Sequence, residues 1–93
     1  MCIGLLTVEL RIDGAFSLKD KRRVLSRIRD RVRHRFNVSV AEVDANDVWN
    51  YSCLGFAVVA NEQKHANRVL SKVLDLLELI RECTVEGAET EFM

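Results

Sequence analysis

Proline is absent from the 93 residues, and glycine occurs only at Gly4, Gly14, Gly55 and Gly87. These are the residues that punctuate helices and strands, so their scarcity predicts long uninterrupted elements and no flexible linker. No apolar run approaches the roughly 18 residues needed to cross a bilayer. Met1 to Leu6 are apolar but carry no basic leader, and Glu9 and Arg11 follow closely, which argues against a secretory signal. Cysteine is sparse and odd in number: Cys2, Cys53 and Cys83 lie far apart. That spacing suits neither a disulfide framework nor a C-x-x-C zinc pair. It fits reduced thiols in a cytoplasmic protein.

Groupings that carry chemistry are also missing. There is no glycine-rich phosphate loop. No Cys–His or Ser–His–Asp arrangement can be built from local sequence, and His34 and His65 fall on the exposed faces of different predicted helices. The expectation is a non-catalytic protein with no metal and no cofactor.

What is present is close to one half hydrophobic residues, 48% of the chain, which excludes disorder. The length suits one domain, residues 1–93, with a core that removes roughly 60–65% of the unfolded surface from water. Net charge is zero, but it is divided unevenly. Phe16 to Phe36 holds nine Lys or Arg against Asp20 and Asp30, a balance of +7. Asp75 to Met93 holds six acids against Arg81, a balance of −5. A neutral total with one basic helix and an acidic tail predicts a polarised surface.

Cys2 to Asp13 alternates, with Leu6, Val8, Leu10 and Ile12 opposed to Thr7, Glu9, Arg11 and Asp13. This is the period of a half-buried strand, and Asp13-Gly14 ends it. Ser17 and Asp20 form a variant capping box. A helix follows to about Phe36, with Leu18, Leu25, Ile28, Val32 and Phe36 as its inner stripe. Val38 to Val43 and Val48 to Ala60 read as strands joined by the polar turn Asp44-Ala45-Asn46-Asp47, a hairpin. Asn61 is the expected cap of a second helix, which runs to near Cys83 with Ala66, Val69, Leu70, Val73, Leu77 and Ile80 inward. Thr84 to Phe92 reads as an edge strand. The order β-α-β-β-α-β predicts an α+β, ferredoxin-like βαββαβ fold: a four-stranded antiparallel sheet with two helices on one face and the other face open. Ferredoxin-like acylphosphatases carry a glycine-rich, arginine-bearing loop that Asp13 to Leu18 does not match.

The run Ser17-Leu18-Lys19-Asp20-Lys21-Arg22-Arg23 is followed in order by Arg35-Phe36-Asn37-Val38-Ser39-Val40-Ala41-Glu42-Val43, by Asp47-x-Trp49, and by Leu54-Gly55-x-Ala57-x-Val59-x-Asn61. Together they resemble the YlxP-like family of small bacterial proteins, over nearly the whole chain. Asp20 departs from the glutamate more often expected there, with its charge kept. The resemblance implies a ferredoxin-like fold and a cytoplasmic bacterial protein. Genes of that family often sit among translation and ribosome-assembly genes, an association that raises the expectation of an RNA or ribosome partner. It implies no particular biochemistry.

Two surfaces are candidates for function. With Leu25, Ile28 and Val32 inward, Lys19, Arg23, Arg27 and Arg31 turn outward, with Arg22 and Arg33 on a flank. Like charges four residues apart repel by about 0.2–0.5 kcal/mol per pair, and the arginine fork suits phosphate. Lys19, Arg22, Arg23, Arg27 and Arg31 are therefore the candidate nucleic-acid contacts, for RNA or the ribosome. The alternatives are an acidic protein partner and a merely solvated face. The open sheet face, with Leu5, Thr7, Trp49, Tyr51, Cys53, Ala57 and Val59, is apolar and lacks the glycine-aromatic pattern of RNA-recognition sheets. It suits a homodimer interface better than base stacking. Lys21 falls on the apolar stripe, so its stem is expected to cover the core and its amine to reach water at the sheet edge. An anion site of Lys21 with Ser17 at the helix N-terminus is a further, weaker expectation.

Overall fold

Strict alternation in β1 (Cys2–Ile12) decides how the rest is assembled. Leu6, Val8, Leu10 and Ile12 are buried, while Thr7, Glu9 and Arg11 between them are exposed. In the computed structural model, which describes residues 1–93, β1 is followed by α1 (Leu18–Arg35), β2 (Ser39–Asp44), β3 (Tyr51–Ala60), α2 (Gln63–Glu78) and β4 (Cys83–Phe92). The strands form one antiparallel sheet in the order β2-β3-β1-β4. The expected α+β arrangement is therefore present, with β4 at an edge.

Both helices lie over the face that carries Leu6, Val8, Leu10, Leu54, Phe56 and Val58, and one apolar cluster fills the space between. Each buried aliphatic side chain there contributes about 1.5–3 kcal/mol. α1 supplies Val24, Leu25, Ile28 and Val32, and α2 supplies Ala66, Leu70, Val73, Leu76 and Leu77. Leu18 and Phe36, at the two ends of the expected stripe, are only half-buried, and Val24 and Leu76 join the core instead. Gly4 marks where α2 approaches β1 most closely. A Cβ there would meet Leu70 Cδ1 at 2.9 Å and Ala66 Cβ at 3.3 Å.

The ends of the elements correct the sequence reading in detail. Ser17 caps α1, its Oγ accepting from the Asp20 N–H at 3.1 Å, and the Asp20 carboxylate accepts from the Phe16 N–H at 3.2 Å. The shorter Asp thus closes a variant of the capping box one residue earlier than Glu does. α2 is capped at Glu62, not Asn61, with no side-chain bond, and it ends at Glu78 rather than near Cys83. β3 begins at Tyr51, three residues later than expected, because the loop before it is held elsewhere.

Lys21 holds that loop. Its side chain is 1% exposed, contrary to the expectation of an amine in water. The Nζ donates to the carbonyls of Ala45 at 2.7 Å and Val48 at 2.5 Å, and sits 2.8 Å from Glu42 Oε2. The same carboxylate accepts from the Oγ of fully buried Ser52 at 2.6 Å. An ammonium has three protons, and all three have partners here. Breaking such a pair from one side leaves an uncompensated charge and costs about 3–5 kcal/mol. Lys21→Met should therefore lower the urea unfolding free energy by about 3 kcal/mol or more. Adding Glu42→Gln should restore more than half of that loss, since the stranded charge is gone. A single-variant loss below about 1 kcal/mol would show that the pair does not hold the loop.

Candidate nucleic-acid interface

α1 presents its charge as the helical wheel requires. Burying Val24, Leu25, Ile28 and Val32 leaves Lys19, Arg22, Arg23, Arg27 and Arg31 exposed. The five candidate contacts thus share one helix surface. They are not equally free. Arg27 is ion-paired with Glu82, which precedes β4. Lys19, Arg22, Arg23 and Arg31 have no carboxylate within salt-bridge distance, and neither do Arg29, Arg33 and Arg35. Arg29 Nε is buried without a hydrogen-bond partner. Arg35 lies over the Phe36 ring with its guanidinium carbon 5.9 Å from the centroid. Arg33, His34 and Arg35 in the last turn oppose the negative end of the helix dipole, which favours them locally whatever they contact. No such argument applies to Lys19, in the first turn where cations are disfavoured, or to Arg22 and Arg23 just beyond it.

Lys21 and Ser17 do not form an anion site. The amine is buried against two carbonyls and a carboxylate, and the Ser17 hydroxyl caps the helix.

The open face of the sheet is apolar on one side and acidic on the other. Leu5 faces Ala57 across β1 and β3, and Ala57 faces Ser39 across β3 and β2. With Thr7, Ala41, Val43 and Gly55 these residues line a shallow groove of about 430 Å³. Gly55 keeps its floor low, since a Cβ there would meet Val43 Cγ1 at 3.1 Å. Val59 is 68% exposed beside it. Toward β4 the face turns acidic: Glu9 lies opposite Gly87, and Glu89 and Glu91 lie opposite Thr7 and Leu5. Tyr51 and Cys53 lie on this face, half-buried. Trp49 belongs to the loop before β3, not to the strand, and is 43% exposed.

Titration follows these neighbourhoods. Burial, then the charge of Glu9, pushes the Tyr51 phenol up. Burial also raises the Cys53 thiol, with Glu9, Asp44 and Glu42 adding to it. Cys83 is pushed up to about 11, mainly by burial and then by Asp13 and Glu82. At the far end of β1, Asp13 is held below the usual carboxylate range, first by the Thr84 hydroxyl at 2.6 Å and then by Arg11 at 2.8 Å. No three or more His, Cys, Asp or Glu side chains converge as a metal-ligand set.

A raised thiol pKa reduces the thiolate that reacts. With iodoacetamide near pH 8, Cys53 should alkylate more slowly than a free thiol, and Cys83 should stay unmodified until the protein is denatured. Alkylation of native Cys53 faster than glutathione would contradict this environment.

Residues 3–90 match the family described as Protein of unknown function (DUF503). The uncharacterized protein YlxP of Bacillus subtilis (strain 168) is 36% identical over 90 residues, covering 97% of this chain and 98% of that protein. Among solved structures, the de novo designed protein Foldit4 superposes with a TM-score of 0.53 over 98% of this chain and 96% of its own, at 14% identity, a likeness of fold alone. The match over residues 3–90 and the relative that shares its whole length agree, and the chain belongs to the DUF503 family, to which the YlxP-like resemblance of its sequence pointed.

Proposed function

We propose that this protein is a non-catalytic, cytoplasmic RNA-binding factor, acting on the ribosome or its RNA, and that α1 makes the contact. The observation that carries this reading is the set of seven cationic side chains on α1 that lack an acidic partner, one of them, Lys19, in the first turn where a helix disfavours positive charge. Of the 14 acidic residues, only Asp20 and Asp30 lie on α1, and only Glu42 and Glu82 reach it from other elements, in pairs with Lys21 and Arg27. Phosphate oxygens are the ligand that a row of unpaired guanidiniums fits best. The acidic side of the open sheet face repels phosphate and so favours the helix face as the site. The raised Cys53 and Cys83 thiols disfavour nucleophilic chemistry at those positions.

Binding through counterion release falls with salt at a log–log slope of about −0.7 per neutralised phosphate for single strands. Changing Arg22, Arg23 and Arg31 together to Gln should lower ribosome or RNA affinity at low salt and flatten that slope by about 2. Thermal stability should hold or rise slightly, because like-charge repulsion is removed. Equal co-sedimentation of variant and wild type with ribosomes at low salt would remove α1 as the contact. Failure of both to co-sediment would favour an acidic protein partner instead.

The groove on the open face supports a second reading, a homodimer that buries Leu5, Ala57 and Val59. An apolar surface of this kind is costly to leave in water. Val59→Lys should then convert dimers to monomers in sedimentation equilibrium. A wild type that is already monomeric at tens of micromolar ends this reading.

A further inference from the structure

Two aromatic side chains are left in water at the end of the molecule where α1 begins. Phe16 is 82% exposed. It occupies the position before the α1 cap, where an apolar side chain ordinarily packs against the fourth residue of the helix. That residue is Lys21, whose side chain is turned inward to the loop before β3, so the staple is not made. Trp49 follows Val48, the residue whose carbonyl Lys21 holds. The buried amine thus tethers the loop that carries Trp49 to the inner side of α1's first turns, and Ile12 N–H pins the next residue, Asn50, through its carbonyl at 2.8 Å. Neither aromatic lines the groove on the open face.

Asp20 and Asp44 accept backbone N–H bonds, Asp13 is held by Arg11 and Thr84, and Glu82 is paired with Arg27, while Asp47, two residues before Trp49, is exposed with no cation within salt-bridge distance. Lys19, Arg22 and Arg23 are exposed and unpaired at the same end. Exposed aromatic faces beside free cations are the two components of a surface for single-stranded nucleic acid: the rings stack on bases and the cations hold the phosphates between them. We propose that Trp49 and Phe16 form a stacking platform for unpaired bases of RNA, with Lys19, Arg22 and Arg23 on the adjoining phosphates. This rests on the reading of α1 as the RNA contact and goes beyond it by requiring single-stranded RNA.

Trp49 is the only tryptophan, so its emission reports the platform directly. The experiment titrates the whole protein with an oligouridylate of about a dozen nucleotides, a size that covers a typical single-strand site, and with an RNA duplex of the same length. Labelled versions of both RNAs report binding by anisotropy. The single strand should quench Trp49 emission and the duplex should not. Phe16→Ala and Trp49→Ala should each weaken single-strand binding about five-fold or more. Circular dichroism checks folding, and Phe16→Ala, at the more exposed position, carries the test where the Trp49 variant is unstable. Binding by anisotropy with unmoved emission and wild-type affinity in both variants overturns the platform and leaves the α1 reading standing. Equal quenching by the duplex overturns the requirement for unpaired bases. Binding of neither RNA overturns both readings, and quenching by polyglutamate alone assigns the surface to an acidic protein.

Discussion

The buried Lys21 ammonium is the constraint around which the basic end of the molecule is arranged. Its desolvation is offset only if Glu42 and the carbonyls of Ala45 and Val48 stay where they are. Glu42 faces inward on an edge strand, and the Ser52 hydroxyl on β3 donates to its carboxylate. The loop must then bend so that both carbonyls point at the amine. Ala45 takes a left-handed backbone, φ 61°, to do this, and its own N–H is met by the Asp44 carboxylate at 2.7 Å. An L-residue other than glycine pays about 1–2 kcal/mol for that conformation, so the amine stabilises a strained turn as well as two charges.

Polarity across the fold follows from where acids have been committed. One cation of α1 is neutralised inside and one at the surface, and the remainder are left to solvent or to a ligand. The acids of β4 collect on the opposite face of the sheet, where they cannot reach α1. Separation on this scale maintains a field that nearby opposite charges would cancel. It also explains how a chain of zero net charge can present one strongly cationic surface.

Much of this was legible in the sequence. Period-two alternation in β1 and the Leu25, Ile28, Val32 spacing gave the faces of sheet and helix directly, because burial of apolar surface dominates both. Trp49 and Lys21 were misplaced for a shared reason. Trp49 sits in phase with Tyr51 and Cys53, so alternation extends the strand back through it. What interrupts the strand is a hydrogen-bonded amine from a residue 27 positions earlier in the chain, and local pattern carries no signal of so distant a partner. Lys21 lies on the apolar stripe, which showed that its stem is inward. That its charge is inward too depends on Glu42 in a different element. The same limit applies to Arg27, whose outward direction is local information and whose pairing with Glu82 is not. At Asn61, propensity favoured the cap, and the entry of the chain into α2 from β3 placed it one residue later.

The position of β1 has a consequence for how the chain reaches this structure. β1 is the first strand in order, yet its two neighbours are β3 and the final strand, with Gly4 opposite Phe92. Half of its backbone ladder closes only after every other element has been made. Contacts of such long sequence separation carry a loop-closure entropy that local ones avoid, and they slow folding. The hairpin of β2 and β3, with the two helices, is the part that can form early. During synthesis β1 waits with one edge unpaired, and once β4 has filled it, Glu86, Glu89 and Glu91 are charges on the sheet's new edge that discourage a further strand from adding there.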